Sequence, residues 1–263
     1  MKKVDINRIE LGVVEKGAGP VLLLVHGFPL DHCMWHGQIE GLSDRCRVIA
    51  PDLRGFGQSG GGGVILTMRQ FADDLAALLE ALDIREPVSF CGLSMGGYVA
   101  WQFWRRHATR LGRLILCDTR AEADTEETAR ARSMMVGRVL AEGASIAADA
   151  MIPKLFAKTT YDEQPELVEA VRRTMLGTQP ASIAAAQRGM AERPDMTGVL
   201  AHVGVPTLVI CGEHDAISPP AEMRALAAAI PGGDYRQIAG AGHMAPLERP
   251  LDVNAAIGEF LEL

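Results

Sequence analysis

No apolar run in this sequence approaches the ~20 residues that span a bilayer. The opening MKKVDINRIELGVVEKG breaks up with Asp5, Asn7, Arg8 and Glu10 where a secretory signal would carry an unbroken apolar stretch. Neither a membrane span nor an export signal is expected, and the chain reads as a soluble cytoplasmic protein. Positive charge is not in excess: 26 Lys and Arg stand against 33 Asp and Glu, a net charge of −7 with pI near 5.5. That balance draws the chain neither to nucleic acid nor to an acidic membrane. Cysteine is sparse, five residues with no C-x-x-C spacing, which excludes a disulfide framework and argues for reduced thiols. Cys91, Cys117 and Cys211 fall in apolar runs and read as core filler. Low complexity is confined to Gly60–Gly63, and there is no internal repeat.

What is present is ample for a core: 263 residues, 48% of them apolar, suit one large domain or two small ones. Strands are predicted over 4–9 and 11–16, and GAGP at 17–20 turns the chain into the apolar run Val21–Val25. Further short runs at 48–50, 88–91, 114–117 and 207–211 lack polar alternation, as strands buried on both faces do. Helical spacing appears between them, most clearly from Thr67 to Asp83, where Phe71, Leu75, Leu78, Leu79 and Leu82 recur and Thr67 with Gln70 suggests a capping box. A helix around Glu222–Ile230, a strand near Tyr235–Ile238 and a closing helix from Leu251 complete the chain. The alternation predicts an α/β fold with a mostly parallel sheet flanked by helices. It lapses after Cys117 for roughly 80 residues that read as helices separated by Gly and Pro. The expected division is a core of residues 1–118 and 201–263 with a helical cap at 119–200. Six of the twelve methionines lie in that insertion, suited to packing its helices or to an adaptable apolar wall.

Gly92-Leu93-Ser94-Met95-Gly96 is a G-x-S-x-G match directly after a predicted buried strand and before a predicted helix. A serine on such a turn stands exposed at the strand's end, and the first helical N–H groups, Met95 included, face developing negative charge. A hydroxyl is a poor nucleophile without a base, so a histidine and a carboxylate are needed. Gly212-Glu213-His214-Asp215 and Gly240-Ala241-Gly242-His243 each follow a predicted strand, giving the chain order Ser94, Asp215, His243. Asp118, after strand 114–117, is a rival acid and Glu213 a remote third.

HGFPLD at 26–31, PDLRGFGQS at 51–59, CGLSMGGY at 91–98, GEHDAISPP at 212–220 and GAGHMAPLERP at 240–250 together resemble the α/β-hydrolase superfamily. The resemblance implies a triad of Ser94, Asp215 and His243, with the backbone N–H groups of Phe28 and Met95 as oxyanion hole, under a helical cap. The H-G-x-P start is similar to epoxide hydrolases and haloalkane dehalogenases, but Ser94 stands where those use aspartate. The nearest resemblance is to small carboxylesterases, cofactor-free haloperoxidase-like perhydrolases and 3-oxoadipate enol-lactonases.

Three other patterns carry less. Gly55-Phe56-Gly57-Gln58-Ser59-Gly60 fits a dinucleotide fingerprint but runs on into glycines instead of a helix. His32 and His36 have zinc-protease spacing, yet Cys33 replaces the glutamate that would serve as base. Trp101, Phe103 and Trp104 read as helix packing. The expectation is therefore a serine esterase working through an acyl-enzyme on a small-molecule ester, with no metal or organic cofactor; the sequence does not indicate an oligomeric state. The alternatives are lactone hydrolysis, with Arg120 as a carboxylate partner or a cap salt bridge, a peracid-forming side activity in which Pro29 orients the Phe28 carbonyl, and a ligand receptor on the same fold.

Overall fold

A computed structural model describes residues 1–263. Eight strands form one sheet: β1 (Lys2–Ile6), β2 (Ile9–Lys16), β3 (Val21–Val25), β4 (Arg47–Pro51), β5 (Val88–Leu93), β6 (Leu111–Cys117), β7 (Thr207–Gly212) and β8 (Asp234–Ile238). Their order is β1-β2-β4-β3-β5-β6-β7-β8, antiparallel at β1/β2 and β2/β4 and parallel from β4 to β8. The first two strands differ from the prediction. Asn7 and Arg8, at φ 42° and 64°, form a two-residue turn, so β1 ends at Ile6 and Ile9 opens β2. An arginine in left-handed geometry is uncommon, which is why the sequence hid the turn.

Because side chains alternate across a strand, one apolar run feeds two cores. In β3, Leu23 and Val25 join the cluster that includes Phe90, Leu114 and Val209, while Leu22 and Leu24 join Cys91, Ile115 and Ile210 on the other face. The helices cover both faces: α1 (His36–Leu42), α2 (Met68–Ala81), α3 (Met95–Arg106), α4 (Glu126–Glu142), α5 (Ser145–Leu155), α6 (Lys158–Glu163), α7 (Pro165–Gly177), α8 (Pro180–Ala191), α9 (Pro220–Ala228), α10 (Ala245–Glu248) and α11 (Pro250–Leu261). In α2 the Thr67 hydroxyl caps the helix by accepting from Gln70 N at 3.1 Å, and Phe71, Leu75, Leu78 and Leu79 are all fully buried. Each such side chain contributes about 1.5–3 kcal/mol, so truncating Leu75 to Ala would be the most direct way to loosen this face.

Helices α4 to α8 are the inserted segment between β6 and β7. Pro165 and Pro180 begin α7 and α8, where proline lacks only an N–H that would be unpaired anyway. Of the insertion's methionines, Met175, Met190 and Met196 are buried in the two cores, whereas Met134 is exposed. No helix is long and apolar enough to cross a membrane. All five cysteines are free.

Candidate active site

Ser94 is the single residue between β5 and α3, and its backbone sits at φ 52°, ψ −111°. That region is sparsely allowed for a residue with a side chain and costs on the order of 1–3 kcal/mol. The fold supplies it through neighbours: Ser94 N donates to Cys117 O at 2.9 Å, and Ser94 O accepts from Gly97 N at 2.9 Å and from Thr119 Oγ1 at 2.7 Å. Gly96 is required by close approach, since a Cβ there would lie 2.2 Å from Val25 O. The Ser94 hydroxyl makes no capping bond to α3. It is left at the carboxyl edge of the sheet.

Asp215 leaves the same edge after β7. Its Oδ1 accepts from Ile217 N at 2.7 Å and Ser218 N at 2.9 Å, and its Oδ2 meets His243 Nδ1 at 2.9 Å. Burial pushes the Asp215 carboxyl up, but His243 and the two backbone donors outweigh it and hold the group below its ordinary range. His243, 3% exposed, makes its side-chain hydrogen bond through Nδ1 alone. No hydrogen bond joins it to Ser94.

The histidine loop folds back over β7. A Cβ on Gly212 would lie 1.9 Å from Gly242 O. Buried Glu248 fixes the loop: Oε1 accepts from Gly242 N at 2.8 Å, and Oε2 accepts from Ala157 N at 2.8 Å and Thr160 Oγ1 at 2.5 Å. One carboxyl group thus ties the residue before His243 to α6 of the insertion. Its place in the GAGHMAPLERP motif was visible in the sequence, but its job was not.

The loop after β3 approaches Ser94 from the other side: a Cβ on Gly27 would lie 3.6 Å from the Ser94 Cβ. His26 anchors that loop, accepting from Leu53 N through Nε2 at 2.9 Å and facing Gly27 O through Nδ1 at 2.9 Å. Complete burial depresses its basicity, so a neutral ring donates through Nδ1–H. The Phe28 N–H, outside any strand or helix, is without an acceptor in the chain. Pro29, joined to Phe28 by a cis peptide bond, accepts from Thr178 Oγ1 at 3.1 Å, a second link to the insertion.

The rival acids occupy other positions. Asp118, fully buried after β6, accepts from Gly212 N at 2.8 Å, and Glu213 accepts from Gly240 N at 2.9 Å on the surface. Arg120 finds its carboxyl partner outside the insertion, at Glu222 of α9, 3.0 Å away, and also donates to Ile217 O. The Gly55–Gly60 loop opens no helix. His32 is bound through Nδ1 to buried Asp52 at 2.7 Å, a structural pair. Trp101 donates to Arg120 O at 2.9 Å from within the core. Two groups of metal-ligating side chains do converge, Asp31, His32 and Cys33, and Asp118, Cys211 and Asp215. In the second, both carboxyl groups are already engaged by backbone N–H groups.

Residues 20–250 match the family model described as alpha/beta hydrolase fold. A thermophilic esterase from Thermogutta terrifontis, solved with malate bound, superimposes with a TM-score of 0.96 at 46% identity, covering 99% of this chain and 97% of that one. The enol-lactonase of Burkholderia xenovorans LB400 gives a TM-score of 0.92 at 30% identity over 100% of both chains. An AB hydrolase superfamily protein of Bacillus subtilis is 30% identical over 97% of this chain and 96% of its own. With the strand order, the elbow and these likenesses together, the chain belongs to the alpha/beta hydrolase fold family.

Proposed function

We propose that this hydrolase cleaves small carboxylic esters through an acyl-enzyme, with Ser94 as nucleophile, His243 as general base and Asp215 as the acid that orients it. The observation that carries the reading is the buried His243 Nδ1–Asp215 Oδ2 bond of 2.9 Å, leaving the same sheet edge as the strained Ser94. With Nδ1–H held by Asp215, the tautomer leaves Nε2 as the proton acceptor. His243 takes the Ser94 proton as Oγ attacks the ester carbonyl, and the N–H groups of Phe28 and Met95 receive the oxyanion. The imidazolium returns the proton to the departing alcohol. Water, deprotonated by the same nitrogen, then releases the acid and restores Ser94. Hydrogen bonds of this kind commonly tighten only with substrate in place.

The insertion serves as the cap, tied to the oxyanion loop at Thr178–Pro29 and to the histidine loop at Glu248. A mostly apolar cavity of about 220 Å³ lies between the segment after β3 and α7, lined by Leu30, Met34, Leu167, Val171 and Leu247 with Cys33 and His36 also in its wall; Ser94, Asp215 and His243 do not line it, so it is not assigned to the ester. Lactones and peroxide would use the same centre, as alternative substrate and alternative acceptor. The lactone reading rests on likeness to the Burkholderia enol-lactonase; Arg120, occupied by Glu222, does not support it. Five free thiols suit a cytoplasmic setting.

Ser94→Ala tests the proposal. Turnover of a nitrophenyl ester should fall by roughly 10³-fold or more with unfolding temperature preserved, and a variant retaining a tenth of wild-type activity rejects Ser94. Multiple turnovers by the wild type support an enzyme, whereas a burst without turnover supports a receptor.

A further inference from the structure

Asp118 presents an unusual situation for a carboxyl group. It is 0% exposed, its backbone is in the left-handed region at φ 46°, and its N–H donates to Ile210 O at 2.9 Å, so the side chain is aimed by the sheet edge and not by solvent. Oδ1 accepts from Gly212 N at 2.8 Å. Oδ2 is buried without any partner. One oxygen of Asp118, one of Asp215 and the Cys211 sulfur all lie within 4.8 Å of one another. No cation offsets the two carboxyl groups there except through His243, which bonds to Asp215. Arg120, two residues on, is turned to Ile217 O and Glu222. The remaining titratable neighbours are thiols, Cys117 on β6 and Cys211 on β7, with Tyr235 of β8 facing Cys211.

Two carboxylates cannot both stay ionised in such a space, and their surroundings decide which takes the proton. Asp215 has two backbone donors and an imidazole; Asp118 has one backbone donor and an orphaned oxygen. We infer that Asp118 is a neutral carboxylic acid whose Oδ2–H donates to the Asp215 carboxylate, so that it acts as a positioning residue behind the His243–Asp215 pair. This rests on the triad reading above for its consequence in catalysis, but the protonation state stands on geometry of its own. Burial and the neighbouring Asp215 charge both drive the Asp118 carboxyl well above the ordinary carboxylate range, in the same direction. A proton held there removes the orphan, adds a hydrogen bond to the orienting acid and leaves a single negative charge behind His243.

A carboxamide reproduces both contacts of a neutral acid, accepting from Gly212 N and donating to Asp215, and cannot reproduce an anion. D118N should therefore keep kcat/KM within about 3-fold of wild type and leave the acid limb of the pH–rate profile in place, while D118A, lacking the donor, loses about 10-fold or more. Infrared spectra of the wild type at neutral pH should contain a protonated-carboxyl C=O stretch that shifts in D2O, survives in D215N and is missing from D118N. The linkage sign is definite. A carboxyl raised in the fold stabilises fully below its unfolded value of about 3.9 and loses that contribution as pH rises, so the unfolding temperature of D118N relative to wild type should increase from acid to neutral pH. A wild-type spectrum with no protonated carboxyl overturns the inference whatever the variants do, as does a D118N variant as inactive as D215N or one whose acid limb shifts. If D215N and Ser94→Ala keep activity while the band is present, the triad fails and the Asp118 proton stands.

Discussion

Two buried histidines, His26 and His243, follow strand ends at the carboxyl edge of one sheet, 0% and 3% exposed. They differ in what holds them. His26 places both nitrogens on backbone, Nε2 on Leu53 N–H and Nδ1 on Gly27 O, and so has nothing left for a substrate. His243 places one nitrogen on a carboxyl group and keeps the other unspent. Burial alone therefore does not distinguish the two rings; the division of their nitrogens does, and it leaves only His243 with a nitrogen free for the proposed proton transfer. The first histidine fixes the loop that carries Phe28, and the second is itself fixed by Asp215 and, through Gly242, by Glu248.

The comparison breaks most sharply at His243. His243→Gln should lower kcat/KM by roughly 10³-fold or more with only a small change in unfolding temperature. Steady-state ester hydrolysis beside a thermal melt measures both, and a variant that loses its melting transition while keeping activity would reverse the two histidines' roles.

Glu248 comes next. Its carboxyl accepts from three donors, one in the histidine loop, one just before α6 and one within it. A glutamine presents an NH2 group to at least one of them and orphans that buried donor, at about 1–3 kcal/mol. Misplacing the residue beside His243 also affects the reaction, and Glu248→Gln should reduce kcat by about 10–100-fold with a smaller change in KM. If stability falls and kcat does not, Glu248 anchors the insertion without positioning His243.

How much of this was legible varies with sequence distance. Ser94 could be read because strand, glycines and helix start lie within a few residues, so the strained elbow has a local signature. Asp215 and His243 were legible as an order of strand-end residues, since parallel strands deliver their loops to one edge. Asp118 was visible as a rival acid, yet its bond to Gly212 and its place beside Asp215 arise only from the β6/β7 pairing. Glu248 was hidden for the same reason: its donors just before α6 and within it lie 91 and 88 residues away in the chain. Pro153 inside α5 shows the converse, a local breaker signal overridden by packing that buries Ala147, Ala148 and Leu155. Gly–Pro punctuation otherwise served well, with Pro165 and Pro180 each opening a helix.

The smallest expected effect sharpens the comparison from the structural side. His26→Leu removes the acceptor of a buried Leu53 N–H and should cost about 1–3 kcal/mol at neutral pH, read as a lower unfolding temperature. That deficit should shrink on acidification. Burial depresses the basicity of His26 in the fold, whereas an unfolded histidine takes up a proton near 6.5. Below that value the unfolded state binds a proton that the folded state refuses, so wild-type stability declines from about pH 7 toward 5 through this residue. His32 works in the opposite sense, because Asp52 outweighs burial and holds its basicity above the ordinary value, and its contribution grows over the same interval. Both proteins keep His32, so subtracting their melting curves cancels it and leaves His26. A difference in unfolding temperature that stays constant between pH 7 and 5 would mean that His26 accepts a proton in the fold, which its two backbone bonds forbid.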